Sequence, residues 1–408
     1  MISVQIKKNP KPGITSLRLP ASKSESNRAL ILEALAGQTD SIQNLSTARD
    51  TRTLHRLLKS QDEILDVLDA GTTMRFLAAY LPFTGRTRIL TGTPRMCERP
   101  IGILVDALRE VGADISYQQK EGYPPLRISG FHAAGSDEVT MRGDVSSQFI
   151  SAMLMIAAGL ENGLTINLTD KIGSRPYIIM TLGLMDHYGI KADWQGSSIV
   201  IPHQEYKPAT YRVDPDWSGA SYWYSLVALA EEATLELEGF RKETLQGDSM
   251  ISGIMDSLGV NTSFIDTGIR LTKKPHAPEF QYDFSDNPDL AQTVIVTCAG
   301  KGIIGKFTGM ESLRIKETDR IHALQQELEK LGALLIESRK GEWIIEPAAP
   351  ANLPSHAEID TYGDHRMAMA FAPLSTRMDL TINDPDVVNK SYPGFWDDMG
   401  KMFNCLIV

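Results

Sequence analysis

The sequence predicts an α/β protein built from repeated units, and two recurring phrases are the evidence. In the first, an amphipathic helix ends at a glycine and a strand, a tight turn and a second strand follow; it occurs four times, with glycines at positions 112, 189, 259 and 332. In the second, a small or polar cluster precedes an apolar helix and a strand; it occurs six times. Interleaved, the phrases predict a βαβαββ unit of about 70 residues, used six times.

Each element of the unit follows from a local pattern. A glycine just after the last periodic residue is a common helix end, because glycine adopts the left-handed conformation without strain. The second set of helices, of which 148–158 is the clearest, is apolar nearly all round and is therefore predicted to be buried. The first unit is shortened, since its helix 50–59 is not followed by a glycine-capped hairpin before Asp69.

Two domains of three units each are predicted from the length and the repeat count. Residues 21–213 would hold the three N-terminal units. Residues 1–20 together with 214–408 would form the other domain, in which the N-terminal strand joins the three C-terminal units. The loop 207–216 is the best candidate for a boundary. The alternative, one large α/β domain with accidental periodicity, is disfavoured by six occurrences of one phrase.

Composition excludes several classes of protein. The chain has 408 residues, and 41 Lys+Arg against 51 Asp+Glu give a net charge of −10, which disfavours a sequence-independent nucleic-acid binder. Three scattered cysteines form neither a disulfide framework nor a metal site, so a reducing cytoplasm is expected. The longest apolar run, 149–160, is too short to cross a bilayer. We expect no nucleic acid, membrane or metal as a partner.

Basic side chains collect where helices are predicted to begin. A helix N-terminus is already partly positive, so a cation there is unfavourable unless an anion compensates it. Such cations recur at Lys23, Arg28, Arg75, Arg95, Arg99, Lys316, Arg320 and Arg366. The pattern predicts small, multiply charged ligands carrying phosphate or carboxylate groups. Any single cluster has a simpler interpretation as an ordinary N-cap, or at 316–320 as an exposed, self-paired turn.

Signature motifs of several enzyme classes are missing from the sequence. There is no GxxxxGK[ST], no strand-linked GxGxxG, no GxSxG and no HExxH. Their absence disfavours a P-loop kinase, a dinucleotide-dependent enzyme, an α/β-hydrolase and a zinc protease. We therefore expect no cofactor, with the chemistry resting on acid–base and electrostatic groups. His365, the only histidine in these clusters, is expected to have a structural role.

Six segments, in the same order, resemble the family of 5-enolpyruvylshikimate-3-phosphate (EPSP) synthases. They are LPASKSESNR (19–28), AGTTMR (70–75), RMCERPIG (95–102), SSQF (146–149), RIKETDR (314–320) and DHRMAM (364–369). The resemblance extends from residue 19 to about 396. It implies a monomer of two domains, each an inside-out α/β barrel of three βαβαββ units, that close over two anionic substrates.

The resemblance also implies a reaction. The enolpyruvyl group of phosphoenolpyruvate moves to the 5-hydroxyl of shikimate 3-phosphate, and phosphate is released, in the pathway to chorismate and the aromatic amino acids. The expected partners are these two small molecules. One alternative is UDP-N-acetylglucosamine enolpyruvyl transferase, which shares the fold and the donor. The other is a catalytically silent homologue that acts as a binding module.

By this resemblance, three residues are catalytic: Asp289 as the base on the 5-hydroxyl, Glu317 as the proton shuttle at the methylene carbon, and Lys23. The residues expected to bind shikimate 3-phosphate are Lys23, Ser24, Arg28, Ser146, Ser147, Gln148, Ser174, Tyr177, Asp289 and Lys316. Those expected to bind phosphoenolpyruvate are Lys23, Gly71, Arg95, Gln148, Arg320, Arg366 and Lys390. Arg99 is a weaker candidate beside them.

Four positions depart from the pattern that the resemblance leads one to expect. Asp69 and Gly363 replace asparagines, and Phe76 replaces a proline. Ser312 stands where an asparagine commonly contacts shikimate 3-phosphate, so it is left out of the predicted site. Asp69 matters most for charge, because it adds a carboxylate beside a predicted anion site.

Overall fold

The computed structural model describes residues 2–131 and 135–408. It divides into two compact units. The central unit is Lys23–Val213, and the terminal unit combines Met1–Ser22 with Asp214–Val408. Within the terminal unit, Ala21 forms a β-bridge with Pro215, and the Ser22 N–H donates to the Asp214 carbonyl oxygen at 2.9 Å. These contacts attach the N-terminal segment to the C-terminal half of the chain. The roles predicted for the two domains stay predictions.

The helices and strands of the described residues follow the predicted alternation. The helices are α1 (Lys23–Leu35), α2 (Arg49–Lys59), α3 (Gly71–Tyr80), α4 (Pro94–Cys97), α5 (Gly102–Glu110), α6 (Ser147–Ala157), α7 (Arg175–His187), α8 (Trp217–Leu229), α9 (Ile251–Ser257), α10 (Ala291–Lys301), α11 (Arg320–Glu329), α12 (His365–Phe371) and α13 (Phe395–Gly400). The strands are β1 (Ser3–Ile6), β2 (Gly13–Leu17), β3 (Ile42–Gln43), β4 (Ile64–Asp66), β5 (Arg88–Thr91), β6 (Ala113–Tyr117), β7 (Leu126–Phe131), β8 (Glu138–Arg142), β9 (Leu164–Thr169), β10 (Asp193–Gln195), β11 (Ser198–Ile201), β12 (Tyr211–Arg212), β13 (Ala233–Glu238), β14 (Val260–Ile265), β15 (Gly268–Lys273), β16 (Glu279–Asp283), β17 (Ile304–Thr308), β18 (Leu334–Arg339), β19 (Glu342–Glu346), β20 (His356–Ile359), β21 (Asp379–Asn383) and β22 (Cys405–Ile407).

One sheet topology recurs. In the sheet β4-β5-β7-β6, the first two strands are parallel and the hairpin β6–β7 joins antiparallel to β5. The sheets β10-β11-β9-β8 and β16-β17-β19-β18 repeat this order. Two further sheets recruit the N-terminal strands, β2 parallel to β13 and β1 antiparallel to β21. The repeated βαβαββ unit is therefore confirmed.

The first unit is the exception, as predicted. Its β3 pairs with β12 in a two-stranded parallel sheet, and α2 is followed by β4 without an intervening hairpin. Across residues 2–131 and 135–408, the sheets stay separate and do not join into a closed β-barrel.

The apolar helices form the interior of each unit. Every residue of α6 from Phe149 to Ala157 is buried, and so is every residue of α12. Strands such as β9 alternate buried and more exposed residues, so one face of the sheet packs on helices and the other faces outward. The four repeated glycines all have positive φ, between 74° and 99°, which confirms the predicted helix ends. In the described ranges, none of the helices has the length and apolar character needed to span a membrane.

Candidate active site

Arg28 is the most enclosed predicted cation of the central unit, with 2% of its surface exposed. Its Nε donates a hydrogen bond to the Thr181 hydroxyl at 2.7 Å. One terminal nitrogen donates to the Ser151 hydroxyl and the other to the carbonyl oxygen of Ser24, both at 3.0 Å. These contacts join α1 to α6 and α7, so a predicted binding residue is fixed by two helices that are distant in sequence.

Only uncharged groups surround the Arg28 guanidinium in the part of the chain that the structure describes. The rings of Phe76 and Tyr177 lie 5.4 and 5.9 Å from its central carbon, within cation–π distance. Burial lowers the pKa of Arg28 to about 10, which still leaves it charged at neutral pH. The predicted binding residue Tyr177 thus contacts Arg28. Phe76, the departure from the family's proline, contacts it as well.

Lys23, one and a half turns earlier on α1, does have an acidic partner. Its Nζ lies 3.3 Å from a carboxylate oxygen of the buried Asp50. The Thr73 hydroxyl donates to the Asp50 carbonyl oxygen at 3.3 Å, which ties α2 to the start of α3. Sequence reasoning missed Asp50, because an acid in the first turn of a helix is usually only a favourable dipole partner.

Gly71 begins α3 beneath two guanidinium groups. A Cβ atom at this position would lie 2.8 Å from an Arg99 nitrogen and 3.1 Å from an Arg75 nitrogen, so a side chain would displace them. Arg75 also donates to the Gly71 carbonyl oxygen at 3.1 Å. Arg99, the weaker candidate, therefore lies at this loop. Arg95 has a side chain that is 54% exposed and forms an ion pair with Glu98 at 3.3 Å.

The starts of α6 and α7 carry the remaining predicted residues of the central unit. The Ser146 hydroxyl caps α6 by accepting from the Gln148 N–H at 3.4 Å, and Ser147 beside it is buried. The Gln148 amide donates to the Thr72 hydroxyl at 3.2 Å, which joins the starts of α6 and α3. Ser174 precedes α7 in the left-handed conformation, with φ 53°.

Arg320 is the centre of the cluster in the terminal unit, with 1% of its surface exposed. It donates to three carboxylates at once: Nε to Asp364 at 2.7 Å, one terminal nitrogen to Asp289 at 3.2 Å, and the other to Glu317 at 2.9 Å. Arg366 donates to the second oxygen of Asp289 at 2.6 Å. The predicted base and the predicted proton shuttle are therefore held on two branches of one guanidinium.

Helix caps set this arrangement locally. Asp319 caps α11 by accepting from two backbone N–H groups at 3.1 Å, which places Arg320 in the first turn. Asp364 caps α12 through the Arg366 N–H at 2.8 Å while its other oxygen accepts from Arg320. The residue before it, Gly363, has φ 68°, a conformation that glycine and asparagine both tolerate. Asp364 lay inside a recognised segment, but nothing local showed that it contacts Arg320.

The opposite charges of this cluster favour the ionised forms of its members. Burial alone would raise the pKa of Asp289, but Arg366, Lys316 and Arg320 outweigh burial and hold it below the ordinary value. Burial alone would lower the pKa of Arg320, but Asp364, Glu317 and Asp289 raise it. Asp289 and Arg320 are therefore both ionised at neutral pH.

The terminal unit also contains two predicted lysines and the histidine of the recognised segments. Lys316 acts electrostatically on Asp289, as its effect on that carboxyl shows. Lys390 is buried at the end of the 3₁₀ helix Pro385–Lys390, which packs against α12. His365 is buried with its Nδ1 3.5 Å from Asp364. Within residues 2–131 and 135–408, no three His, Cys, Asp or Glu side chains converge as they do around a metal ion.

Solved structures define the class of fold. An EPSP synthase of Acinetobacter baumannii aligns over 100% of both chains with a TM-score of 0.79 at 19% sequence identity. A second structure from the same organism gives 0.78 at 18% identity. At this level of identity the likeness concerns the fold alone, and it is the two-domain α/β fold of those structures.

Relatives by sequence identify the family. A 3-phosphoshikimate 1-carboxyvinyltransferase of Bacteroides fragilis strain YCH46 is 49% identical over 395 residues, covering 95% of this chain and 94% of the relative. A 3-phosphoshikimate 1-carboxyvinyltransferase of Cellvibrio japonicus is 37% identical over 413 residues, covering 94% of this chain and 95% of the relative. The model of the EPSP synthase (3-phosphoshikimate 1-carboxyvinyltransferase) family matches residues 54–399. The chain belongs to the EPSP synthase family, which is a family of enzymes, and the sister-transferase interpretation is not favoured.

Proposed function

We propose that this chain transfers the enolpyruvyl group of phosphoenolpyruvate to the 5-hydroxyl of shikimate 3-phosphate and releases phosphate, on the pathway to chorismate. The observation that carries the proposal is the carboxylate pair Asp289 and Glu317, bound by the single guanidinium of Arg320. The names of the relatives, 3-phosphoshikimate 1-carboxyvinyltransferases, support the choice of substrates.

The reaction needs two carefully placed proton movements. As the 5-hydroxyl oxygen bonds to C2 of phosphoenolpyruvate, its proton must leave and another must be added to C3. The tetrahedral adduct then loses phosphate from C2 and the proton from C3, which restores the double bond. Under this proposal, Asp289 accepts from the hydroxyl, and Glu317 delivers and later removes the C3 proton.

Substrate anions would also tune Asp289. Within the cluster, Arg366, Lys316 and Arg320 hold the pKa of Asp289 low, which makes it a weak base. A phosphate or carboxylate bound to these cations would share their charge, so the pKa of Asp289 would rise and its basicity would increase. The enzyme would thus acquire its base when its substrates bind.

Cations supply the remaining catalysis in this proposal. Arg28, with the hydroxyl and amide groups predicted beside it, would bind shikimate 3-phosphate, and Arg320, Arg366 and Lys390 would bind phosphoenolpyruvate. Lys23 would serve both substrates. Fixed positive charge stabilises the anionic transition state without reorganisation, and binding both reactants removes the entropic cost of their encounter.

A phosphate-release assay tests the proposal directly. Release is expected with both substrates together and not with either alone, and Lys23→Ala should lower the rate at least about 100-fold. Lys11→Ala is the matched control, because Lys11 is exposed and paired only with Glu232. Release that depends on UDP-N-acetylglucosamine instead would assign the sister reaction. Folded protein that releases no phosphate under either condition would favour the binding-module alternative.

A monomeric state and a cytoplasmic location are parts of the same proposal. The location is supported by Cys97, Cys298 and Cys405, which are all free thiols. Light scattering coupled to size-exclusion chromatography measures the state, and a mass near twice 45.0 kDa would contradict it.

A further inference from the structure

We infer that Ser151 and Thr181 are positioning residues for shikimate 3-phosphate: they hold Arg28 rigidly while leaving its charge available to the substrate. The inference rests on the proposed function, because it takes Arg28 to bind that substrate. Neither hydroxyl belongs to the predicted site, and both are fully buried. Ser151 lies about one turn into α6 and Thr181 nearly two turns into α7, each beyond the predicted substrate-binding residues at the helix start.

The described contacts of Arg28 do not use all of its N–H groups. A guanidinium has five N–H groups. The described contacts of Arg28 use three: Nε to Thr181, one terminal nitrogen to Ser151 and the other to the Ser24 carbonyl oxygen. One N–H therefore remains on each terminal nitrogen. One donor on each terminal nitrogen can serve the oxygens of a carboxylate or phosphate group.

The Thr181 hydroxyl proton is directed away from the guanidinium. Thr181 Oγ1 lies 2.8 Å from the Tyr177 carbonyl oxygen one turn earlier, and that oxygen can only accept. The single Thr181 proton is thus used there, and the lone pairs of Thr181 are free to accept from Arg28. The two hydroxyl oxygens are themselves 2.9 Å apart, so both acceptors are held in one fixed pair.

Neutral acceptors are what this position requires. A carboxylate in place of either hydroxyl would form a buried ion pair with Arg28 and compete with the substrate for it. The hydroxyls, together with the rings of Phe76 and Tyr177, orient the guanidinium but provide no counterion. The charge is then satisfied only when an anion binds, which favours the complex over the free protein.

The terminal unit contains a matched pair without an arginine. Thr297 Oγ1 lies 2.7 Å from the Ser225 hydroxyl and 2.6 Å from the Thr293 carbonyl oxygen one turn earlier. Ser225 and Thr297 are fully buried, like Ser151 and Thr181. No described side chain brings a cation to this second pair within hydrogen-bond distance. Substitutions in this second pair therefore measure what such a pair contributes to packing alone.

The test compares the two threonines by calorimetric titration of the full-length protein with shikimate 3-phosphate alone. Thr181→Val should weaken binding about tenfold, which equals about 1.4 kcal/mol, because Arg28 loses its Nε acceptor. Thr297→Val should lower the melting temperature about as much as Thr181→Val does, but it should leave the affinity for shikimate 3-phosphate unchanged. Thr181→Ser retains a hydroxyl and should bind within about twofold of the wild type.

The outcomes separate this inference from the function on which it rests. Wild-type protein that fails to bind shikimate 3-phosphate contradicts both. Wild-type binding with equal affinities in Thr181→Val and Thr297→Val contradicts the inference alone. Should Thr181→Val fail to fold, Ser151→Ala decides, since it removes the other acceptor with a smaller change in shape. In that case unchanged affinity overturns the inference, and weakening comparable to that expected for Thr181→Val supports it.

Discussion

Arg28 and Arg320 are the same residue type, almost equally buried, in chemically opposite surroundings. Arg28 in the central unit has hydroxyls, a carbonyl group and two rings as partners. Arg320 in the terminal unit has three carboxylates. The first arrangement leaves a positive charge for a ligand to satisfy. The second uses the positive charge to fix and ionise acidic groups, and a bound anion would have to share that charge with them.

The comparison shows that burial of a cation does not by itself indicate its role. An arginine paired with carboxylates organises those neighbours as well as any ligand, whereas one held by neutral dipoles keeps its whole charge for an anion. Substitutions test this distinction, beginning with the change that should have the largest effect.

Glu317→Gln should have the largest effect, because it removes a proton donor and acceptor while keeping the shape of the side chain. We expect kcat to fall about 1,000-fold and KM for phosphoenolpyruvate to change by less than about fivefold. Steady-state kinetics of phosphate release provides the measurement. The control is Glu329→Gln at the exposed end of α11, the helix that follows Glu317. Equal losses in kcat and in affinity would demote Glu317 to a binding residue.

Arg320→Met and Arg28→Met should differ sharply in stability without substrates. Removing Arg320 leaves three carboxylates without their shared partner, so we expect a loss of about 3–5 kcal/mol in the free energy of unfolding. Removing Arg28 eliminates a buried charge that has no counterion, so the loss should stay below about 1 kcal/mol. Urea unfolding of the two variants measures both values.

The variant with the small expected effect on stability, Arg28→Met, should have a large effect on substrate binding. Arg28→Met should weaken shikimate 3-phosphate binding about 100-fold although it barely changes stability. Equal destabilisation by the two substitutions would mean that the neutral partners of Arg28 satisfy it as fully as carboxylates satisfy Arg320.

Acid should reduce stability through Asp289. Its pKa in the folded protein lies below the ordinary value of about 3.9, so the unfolded chain takes up the proton first as the pH falls. The stabilisation is therefore complete above about pH 5 and is lost as the pH falls through 4 towards the folded-state pKa. Unfolding midpoints measured from pH 7 to 3 should fall more steeply for the wild type than for Asp289→Asn. Asp266→Asn, in the exposed turn between β14 and β15, should retain the wild-type slope.

Asp69→Asn should have the smallest effect. Asp69 adds a negative charge near Gly71, but Arg49 lies 2.8 Å away and both side chains are at least one-third exposed, at 34% and 45%. Exposed pairs of this kind contribute about 0–1 kcal/mol, so stability and KM for phosphoenolpyruvate should change little. A double-mutant cycle with Arg49→Gln measures the pairing. A rise in KM for Arg49→Gln that Asp69→Asn reverses would show that Arg49 shields the site.

Much of the fold could be predicted because it repeats. The spacing of glycines and apolar helices gave the βαβαββ unit and its shortened first copy, since these signals are local and periodic. The cations at helix starts were visible for the same reason. Asp364, Asp50, Ser151 and Thr181 were not, because an aspartate in a helix cap or a hydroxyl in an apolar helix has the same appearance whether or not it contacts an arginine far away in sequence.

Sequence alone determined which residue types stand at the starts of the buried helices, because helix ends are set by neighbours along the chain. The tertiary structure decided which of those cations received acidic partners. Arg28 meets side chains from three other helices, α3, α6 and α7, and Arg320 meets Asp289 and Asp364 from segments 31 and 44 residues away. Packing of distant helices therefore leaves Arg28 with its whole charge for an anion and adds Asp289 and Asp364 to Glu317, the partner of Arg320 that is near in sequence.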